Sequence, residues 1–430
     1  MNGRSKPVRW FLQCGLLGVP VALACAVALA EPTPVVAQPN GVRLTDLLQK
    51  AVTQHPSIFQ ARSQLKAQGF ELDAANWGRY PALTSEVRSD SQFSQSIAKL
   101  EQPIWAGGRI DGRIKLGQAN VRVGQAALQE AELNAMNQVG GSFFEMLRLA
   151  ERLRTADDNV QEHQRLVDMI SRRVKAQISP EADVTLAMAR WQQARSEQLQ
   201  MSRQLESTRN LLSQWVGPVV GLPTAPQKID YRAEADPQQV AELALEYSAQ
   251  RQKLQAQMSA ATAQIALARS QAMPTVVAGY QYVLSGPLFA SPDRGRAYVG
   301  LQFQSGAGLS ALAGIQSAVS RQEASEQEMK VFELSLRSQV LTLHNDIENL
   351  QSQLTPAQSL EAATAELMAS VLRQYQIGKK NWLDVLNAQR ERTQAGFNLA
   401  DVRFSLLQSQ LRLLILTGAI RAQNTSLILE

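Results

Sequence analysis

Two acidic residues, Asp183 and Asp384, are the side chains whose positions first suggest a chemical role. Each is followed by a valine and stands at the beginning of a long segment without helix breakers, and the two are 201 positions apart. A carboxylate in the first turn of a helix is stabilised by the positive end of the helix dipole. Both residues are therefore candidates for helix caps.

The other residue types give no pattern of a catalytic or metal site. The three histidines, His55, His163 and His344, are isolated on predicted helices, and no paired His or Cys spacing accompanies them. The segment from Gly306 to Ala311 loosely resembles a dinucleotide-binding glycine loop but lacks the βαβ frame that such a loop needs. Nucleophile and zinc-protease motifs are also missing. We therefore expect no enzyme activity and no cofactor.

The first 30 residues have the pattern of a signal peptide. Three basic residues precede an apolar run, which ends in an Ala-x-Ala motif at residue 30. Both cysteines, Cys14 and Cys25, lie in this segment, so the exported chain would contain none. A membrane anchor and lipidation of Cys25 are the alternatives. Removal of the segment lowers the net charge from +5 to +2, which does not predict nucleic-acid binding.

The chain contains a duplication. Leu212 and Gly217 recur as Leu413 and Gly418 at the same separation of 201 positions, and the match continues upstream at a shorter separation. A repeat of this length is too long for a solenoid unit and indicates two related halves. We predict an extended tail at 31–43, a first repeat at 44–217, a Pro-rich linker at 218–237, a second repeat at 238–418 and a C-terminal tail at 419–430.

Each repeat is predicted to contain a helix, two strands and two long helices. The first helix runs from Thr45, as its N-cap, to Trp77 with a break near Pro56, and its counterpart is one helix from Val240 to Ala272. The long helices form antiparallel coiled-coil hairpins, because only short turns separate them. The turns of the two hairpins, called the tips, lie at 176–182 and 377–382.

The strands occupy 82–105 in the first repeat and 275–305 in the second. In the last strand apolar residues alternate with others and form one apolar face: Ala297, Val299, Leu301 and Phe303. The first pair is rich in serine and threonine and predicts only a weak apolar face. Because exposed strand edges are avoided, a few strands per chain suggest that several chains pool them in a closed barrel.

Two motifs resemble those of the TolC family of outer-membrane efflux and secretion channels. The stretch from Gln102 to Arg109, with Pro103, Gly107 and Gly108, is similar to the family's strand-to-helix junction. The stretch from Tyr375 to Ala388 is similar to its second hairpin tip. Together with the duplication, these motifs cover nearly all of the chain after its first 30 residues.

The resemblance implies a mainly α fold with a β-barrel part. Three chains would form a 12-strand barrel in the outer membrane and a tunnel of 12 long helices in the periplasm. The function implied is a passive exit duct of a tripartite efflux pump or a type I secretion system. Its partners would be a periplasmic adaptor protein, an inner-membrane transporter and outer-membrane lipid.

The resemblance also assigns roles to individual residues. Tyr375 corresponds to a gate tyrosine, Asp183 to its acidic partner on the neighbouring hairpin, and Lys380 to a gating arginine. Asp384 matches the first of two acidic positions at the constriction, and Asn387 stands at the second. Adaptor docking is implied for the tip residues Ala176, Gln177, Ile178, Ile377, Gly378 and Lys379.

Simpler roles for these residues, and another class of protein, remain open at this point. Asp183 and Asp384 can act as caps, whereas Tyr375 and Trp382 can pack between helices. The whole chain can instead be a soluble periplasmic coiled-coil adaptor or scaffold with no channel. An apolar strand face favours the channel, and the sequence does not specify the transported substrate.

Overall fold

The structure is a computed structural model that describes residues 43–89, 94–219, 221, 229, 236–286, 293–303 and 310–420. The predicted signal peptide, the lipidation alternative at Cys25, and the glycine segment at 306–308 lie outside the described residues. Most of both predicted tails and of the linker lies outside them as well.

Within the described residues the chain forms eight α-helices and four β-strands. Their order is helix, helix, strand, strand, helix, helix, repeated once. The elements are α1 (Leu44–Gln54), α2 (Pro56–Trp77), β1 (Ala82–Ser89), β2 (Ser94–Trp105), α3 (Arg109–Lys175), α4 (Glu181–Val216), α5 (Pro237–Tyr247), α6 (Ala249–Gln271), β3 (Thr275–Ser285), β4 (Gly295–Gln302), α7 (Ser310–Gln376) and α8 (Trp382–Leu416).

The long helices form two hairpins, as predicted. Helices α3 and α7 have 67 residues each, and at 1.5 Å per residue each is roughly 100 Å long. Helix α3 packs against α4, α7 packs against α8, and α3 packs against α8. The four helices are therefore arranged side by side in the order α4, α3, α8, α7.

The helix before the strands is broken at the equivalent position in both repeats. In the first repeat the break is at His55, whose Nδ1 accepts a hydrogen bond from the backbone N–H of Ser57 at 3.2 Å. In the second repeat Ser248 is extended and its side chain accepts from the N–H of Arg251 at 3.2 Å. The prediction of one helix from Val240 to Ala272 was therefore wrong, because a serine cap begins a new helix.

The predicted N-cap at Thr45 was also wrong. Helix α1 begins at Leu44, so Thr45 is already helical, and its N-cap Arg43 makes no capping hydrogen bond with its side chain. Leu44, Leu47 and Leu48 are all buried in the core. Packing of these leucines, rather than a side-chain cap, therefore stabilises the beginning of this helix.

All four strands form one antiparallel sheet in the order β1-β2-β3-β4. The central pairing joins β2 of the first repeat to β3 of the second, with Leu100 opposite Tyr280. Across the same sheet the Tyr298 hydroxyl donates a hydrogen bond to Glu101, so β4 is also tied to β2. The two repeats therefore share one sheet instead of forming separate strand pairs.

One face of this sheet is exposed and apolar. Cross-strand partners lie on the same face, and Leu83 is opposite Leu100, which is opposite Tyr280, which is opposite Ala297. The predicted apolar residues Ala297, Val299, Leu301 and Phe303 are all exposed. The first strand pair was expected to contribute little, but it adds Leu83 and Val87, which are 75% and 71% exposed.

The junction between β2 and α3 explains the predicted glycine pair. Gly107 and Gly108 both have positive φ angles, 57° and 83°, which favour glycine over other residues. Gly108 is the N-cap of α3, and the N–H of Arg109 donates to Ala106 O at 2.9 Å. At Pro103 the pairing with β3 is irregular, as expected for a residue that lacks an N–H.

The buried apolar side chains form separate clusters along the helices. The largest surrounds Phe143 and Phe144 of α3, which pack against α1, α4 and α8. A second cluster lies near the hairpin ends and includes Ile170, Tyr375 and Trp382. This second cluster, called the tip cluster below, holds the two hairpins together close to their turns.

Candidate functional site at the hairpin tips

The two hairpin turns have the same backbone structure. In the first tip, residues 176–180, the N–H of Ile178 donates to Arg173 O at 2.9 Å. In the second tip, residues 377–381, the N–H of Lys379 donates to Gln374 O at 2.9 Å. Both are Schellman C-caps, which require a left-handed residue. Gln177 occupies that position with a φ of 59°, and Gly378 occupies it with a φ of 77°.

All six residues predicted to contact an adaptor are exposed: Ala176, Gln177, Ile178, Ile377, Gly378 and Lys379. The two isoleucines are 64% and 67% exposed, which is unusual for large apolar side chains. Exposed basic side chains surround them, namely those of Arg172, Lys175, Lys379 and Lys380. Each tip therefore presents an apolar residue in a basic surrounding.

The two aspartates differ in their contacts. Asp384 belongs to a capping box: its N–H donates to Asn381 Oδ1 at 2.8 Å, and its Oδ2 accepts from the Asn381 N–H at 3.2 Å. The cap predicted for Asp384 is therefore confirmed. At the equivalent position Pro180 has no N–H to donate, and the Asp183 carboxylate makes no hydrogen bond or ion pair with a described residue. Asp183 nevertheless lies in the first turn of α4, where the helix dipole stabilises its charge as predicted, without a capping box like that of Asp384.

Tyr375 and Trp382 are both buried in the tip cluster. Their ring centroids are 5.4 Å apart, and the Arg173 guanidinium lies over the Tyr375 ring at 4.9 Å. The Tyr375 hydroxyl and the Trp382 indole N–H are buried and have no hydrogen-bond partner among the described residues. The predicted packing role is confirmed for both rings.

Asn387 and Lys380 lie in different surroundings. Asn387 is one helical turn beyond Asp384 and lines a cavity between α3, α4 and α8. Lys380 is exposed in the second tip and makes no ion pair with any described residue. Of the predicted gate residues, Tyr375 therefore lies inside the tip cluster, and Lys380 lies at the outer surface.

Some polar residues near the tips were not predicted from the sequence. Asn159 of α3 accepts hydrogen bonds from Gln389 Nε2 and Thr393 Oγ1 of α8, both at 2.9 Å, and all three side chains are buried. Further along, Asp401 of α8 pairs with Arg148 and Arg152 of α3 at 2.7 and 2.8 Å. These residues are isolated polar positions on long helices, and the sequence does not indicate which residue of a distant helix each one contacts.

In the described ranges, no helix is both long enough and apolar enough to cross a membrane. A search of the same residues finds no cluster of three or more His, Cys, Asp or Glu side chains that could hold a metal ion.

Comparison with known proteins gives one family over most of the chain. Residues 47–218 and 240–419 match the family described as outer membrane efflux protein. The chain is 24% identical over 394 residues to the cobalt-zinc-cadmium resistance protein CzcC of Cupriavidus metallidurans, a match that covers 87% of this chain and 93% of CzcC. It is 26% identical over 281 residues to protein CyaE of Bordetella pertussis, covering 58% of this chain and 56% of CyaE.

Solved structures have the same fold. The outer membrane protein VceC from Vibrio cholerae superimposes with a TM-score of 0.75 at 16% sequence identity, covering 87% of this chain and 96% of VceC. Two long hairpins attached to a four-stranded sheet are thus a fold that this chain shares with the outer membrane protein VceC. The chain belongs to the outer membrane efflux protein family. This confirms the resemblance drawn from the tip and junction motifs, and it does not support a periplasmic scaffold.

Proposed function

We propose that three copies of this chain assemble into a passive exit duct of the outer membrane. The observation that carries this proposal is the exposed apolar face of the four-stranded sheet. Both outer strands of that sheet, β1 and β4, have one edge without a partner in the described chain. Exposed edges favour further strand pairing, and neighbouring copies would supply it. Three sheets would close into a 12-strand barrel with the apolar face towards lipid.

The helices support the same assembly. Helices α4 and α7 are the outer members of the four-helix row and would contact the neighbouring copies. Each has large apolar side chains that are exposed in the single chain: Met188, Leu199 and Leu211 on α4, and Val331 and Leu334 on α7. Burial of such residues between copies stabilises an assembly by about 25 cal/mol per Å² of apolar area. Twelve long helices would then enclose the tunnel.

The gate is proposed to lie at the tips. The buried Tyr375 hydroxyl has no partner in the described residues, and neither has the Asp183 carboxylate. A hydrogen bond from Tyr375 to Asp183 of the neighbouring hairpin would satisfy both groups in the closed duct, and Lys380 would take part at the surface. Asp384 would contribute one carboxylate per copy to the constriction. Since Asn387 is neutral, cation binding there would be weaker than with two acidic positions.

The tips would dock a periplasmic adaptor protein, which would link the duct to an inner-membrane transporter. The exposed Ile178 and Ile377 and the basic side chains around them support a protein contact, because exposed large apolar residues mark interaction sites. The helical part would lie in the periplasm and the sheet in the outer membrane. No cofactor or catalytic step is required of a passive duct.

Planar bilayer recordings of the full chain, purified from outer membranes in detergent, would test the duct, with the oligomeric mass measured alongside. We expect a trimer with a small conductance that polyvalent cations block from the tip side. A monomer without conductance would contradict the proposal.

A further inference from the structure

A polar cavity of about 190 Å³ lies between the hairpins, on the side of α3 where α4 and α8 both approach it. Its lining residues on α3 are 13 to 17 positions before the first tip, which is about 20–25 Å along the helix. The polar side chains that line it include Asn159, His163, Arg190, Glu197, Asn387 and Arg390. The cavity is therefore separate from the turn residues of the proposed docking surface.

His163 is a buried polar residue of this cavity whose hydrogen bonding is incomplete. Its side chain is only 6% exposed, and its Nδ1 atom has no hydrogen-bond partner in the described part of the chain. Its neighbour Asn159 accepts from Gln389 and Thr393 through its amide oxygen and makes no hydrogen bond with His163. Buried polar groups are nearly always hydrogen-bonded, so His163 indicates an occupant with hydrogen-bonding atoms.

The charges of the cavity favour an anion. Arg190 on α4 and Arg390 on α8 line it from two different helices. Arg190 uses one N–H for Gln193 at 3.0 Å, and Arg390 makes no hydrogen bond or ion pair with a described residue. Glu197 opposes an anion, but its carboxylate accepts from Gln193 Nε2 at 3.3 Å. Two guanidinium groups against one carboxylate leave a positive charge and several free donors.

We propose that this cavity binds a small tetrahedral oxyanion, such as sulfate or phosphate, between Arg190 and Arg390, with His163 as an additional donor. Guanidinium groups suit this ligand because their planar N–H groups can bind two oxygens at once. The bound oxyanion joins α4 to α8 and so holds the two hairpins together. The proposal does not depend on channel activity or on assembly.

Thermal unfolding of the purified full chain in detergent tests this site. Sulfate and inorganic phosphate are each compared with chloride at equal ionic strength. We expect both oxyanions to raise the unfolding temperature in a saturable manner. Arg390→Ala and Arg190→Gln should each weaken the apparent affinity by roughly tenfold. Arg203→Ala, which removes an exposed arginine elsewhere on α4, is the matched control and should leave the affinity unchanged.

An NMR titration of His163 gives a second readout that a general salt effect does not produce. A bound anion stabilises the protonated imidazole, so sulfate should raise the pKa of His163. The ring signals of His55 and His344 are the controls and should not move when sulfate is added. The proposal is wrong if sulfate and chloride act alike in both measurements. It is also wrong if the two arginine variants retain the full sulfate effect.

Discussion

At the scale of single residues, Asp384 combines a cap with its proposed position at the constriction. Replacement by asparagine removes the charge, but the amide oxygen can still accept from the Asn381 N–H. We expect Asp384→Asn to weaken block by polyvalent cations in planar bilayers while thermal stability changes little. Asp384→Ala also removes the reciprocal bond of the capping box, from the Asn381 N–H to the carboxylate, and should cost about 1 kcal/mol. Unchanged cation block in Asp384→Asn would leave Asp384 as a cap only.

The left-handed residues of the two turns, Gln177 and Gly378, allow two substitutions that should change the unfolding temperature in opposite directions. A side chain in this conformation costs about 1 kcal/mol, so Gly378→Ala should lower the unfolding temperature. Gln177→Gly should raise it slightly, because the same strain is relieved in the first tip. Gly314→Ala is the control: Gly314 lies inside α7 with open space around it, so alanine should stabilise. Thermal unfolding followed by circular dichroism measures all three.

His163 makes stability depend on pH. Burial, and secondarily repulsion by Arg190, lowers the pKa of His163 from 6.5 to about 4. The unfolded chain therefore binds a proton below pH 6.5 that the folded chain does not bind until about pH 4. Folding stability falls as the pH decreases through this window, by on the order of 1–2 kcal/mol at pH 5. His163→Gln should show a smaller loss between pH 7 and 5 in low-sulfate buffer, and an equal loss would contradict this.

Part of the tip could be predicted from its residues. Asn381 followed three positions later by Asp384 is a capping-box pattern, and the proline at 180 removes the equivalent cap from the first tip. The sequence could not reveal that the hydroxyl of Tyr375 and the Nδ1 of His163 are buried without partners. Such burial depends on contacts between α3, α7 and α8, which are far apart in the chain.

At the scale of elements, two adjacent glycines of α3 predict how closely the hairpins pack. A Cβ atom on Gly140 would lie 2.4 Å from Leu411 Cδ2 in the core, whereas one on Gly141 would meet only Gln408 Nε2 at 3.6 Å. We expect Gly140→Ala to destabilise by about 1–3 kcal/mol through overpacking. Gly141→Ala should instead stabilise by up to about 1 kcal/mol through helix propensity. Equal effects in thermal unfolding would show that α8 can move away from α3.

The element boundaries show which signals the sequence carries. Long helices, turns and strands follow from periodicity and breakers, and these predictions agree with the structure. The break at Ser248 was missed because no proline follows it, although it is equivalent to the break at His55 in the first repeat. Aligning the two repeats over the helix that precedes the strands would have predicted the break at Ser248 from the break at His55.

At the scale of the whole molecule, the exposed leucines of α7 predict how assembly can be disrupted. Leu334 is 68% exposed in the single chain. If it is buried against a neighbouring copy, Leu334→Glu places a charge in an apolar contact and should reduce the trimer fraction. Gln351→Glu adds the same charge at an exposed position of the same helix and is the control. Light scattering of the detergent-purified proteins measures the mass, and a fully trimeric Leu334→Glu would contradict this interface.

The duplication predicted the order of elements but not how the halves meet. Pairing of β2 with β3 joins residues nearly half the chain apart, for which local patterns give no register. This pairing merges two short strand pairs into one sheet, so the first pair is stabilised by the second despite its serine-rich composition.

The shared backbone of the two tips has a consequence for binding stoichiometry. The turns have the same hydrogen bonds but different side chains, with Gln177 and Ile178 in one and Gly378 and Lys379 in the other. A trimer would therefore present six turns with the same backbone structure. Three of them would carry the side chains of the first tip and three those of the second. A partner that recognises the common backbone would bind six times, whereas one that distinguishes the side chains would bind three times.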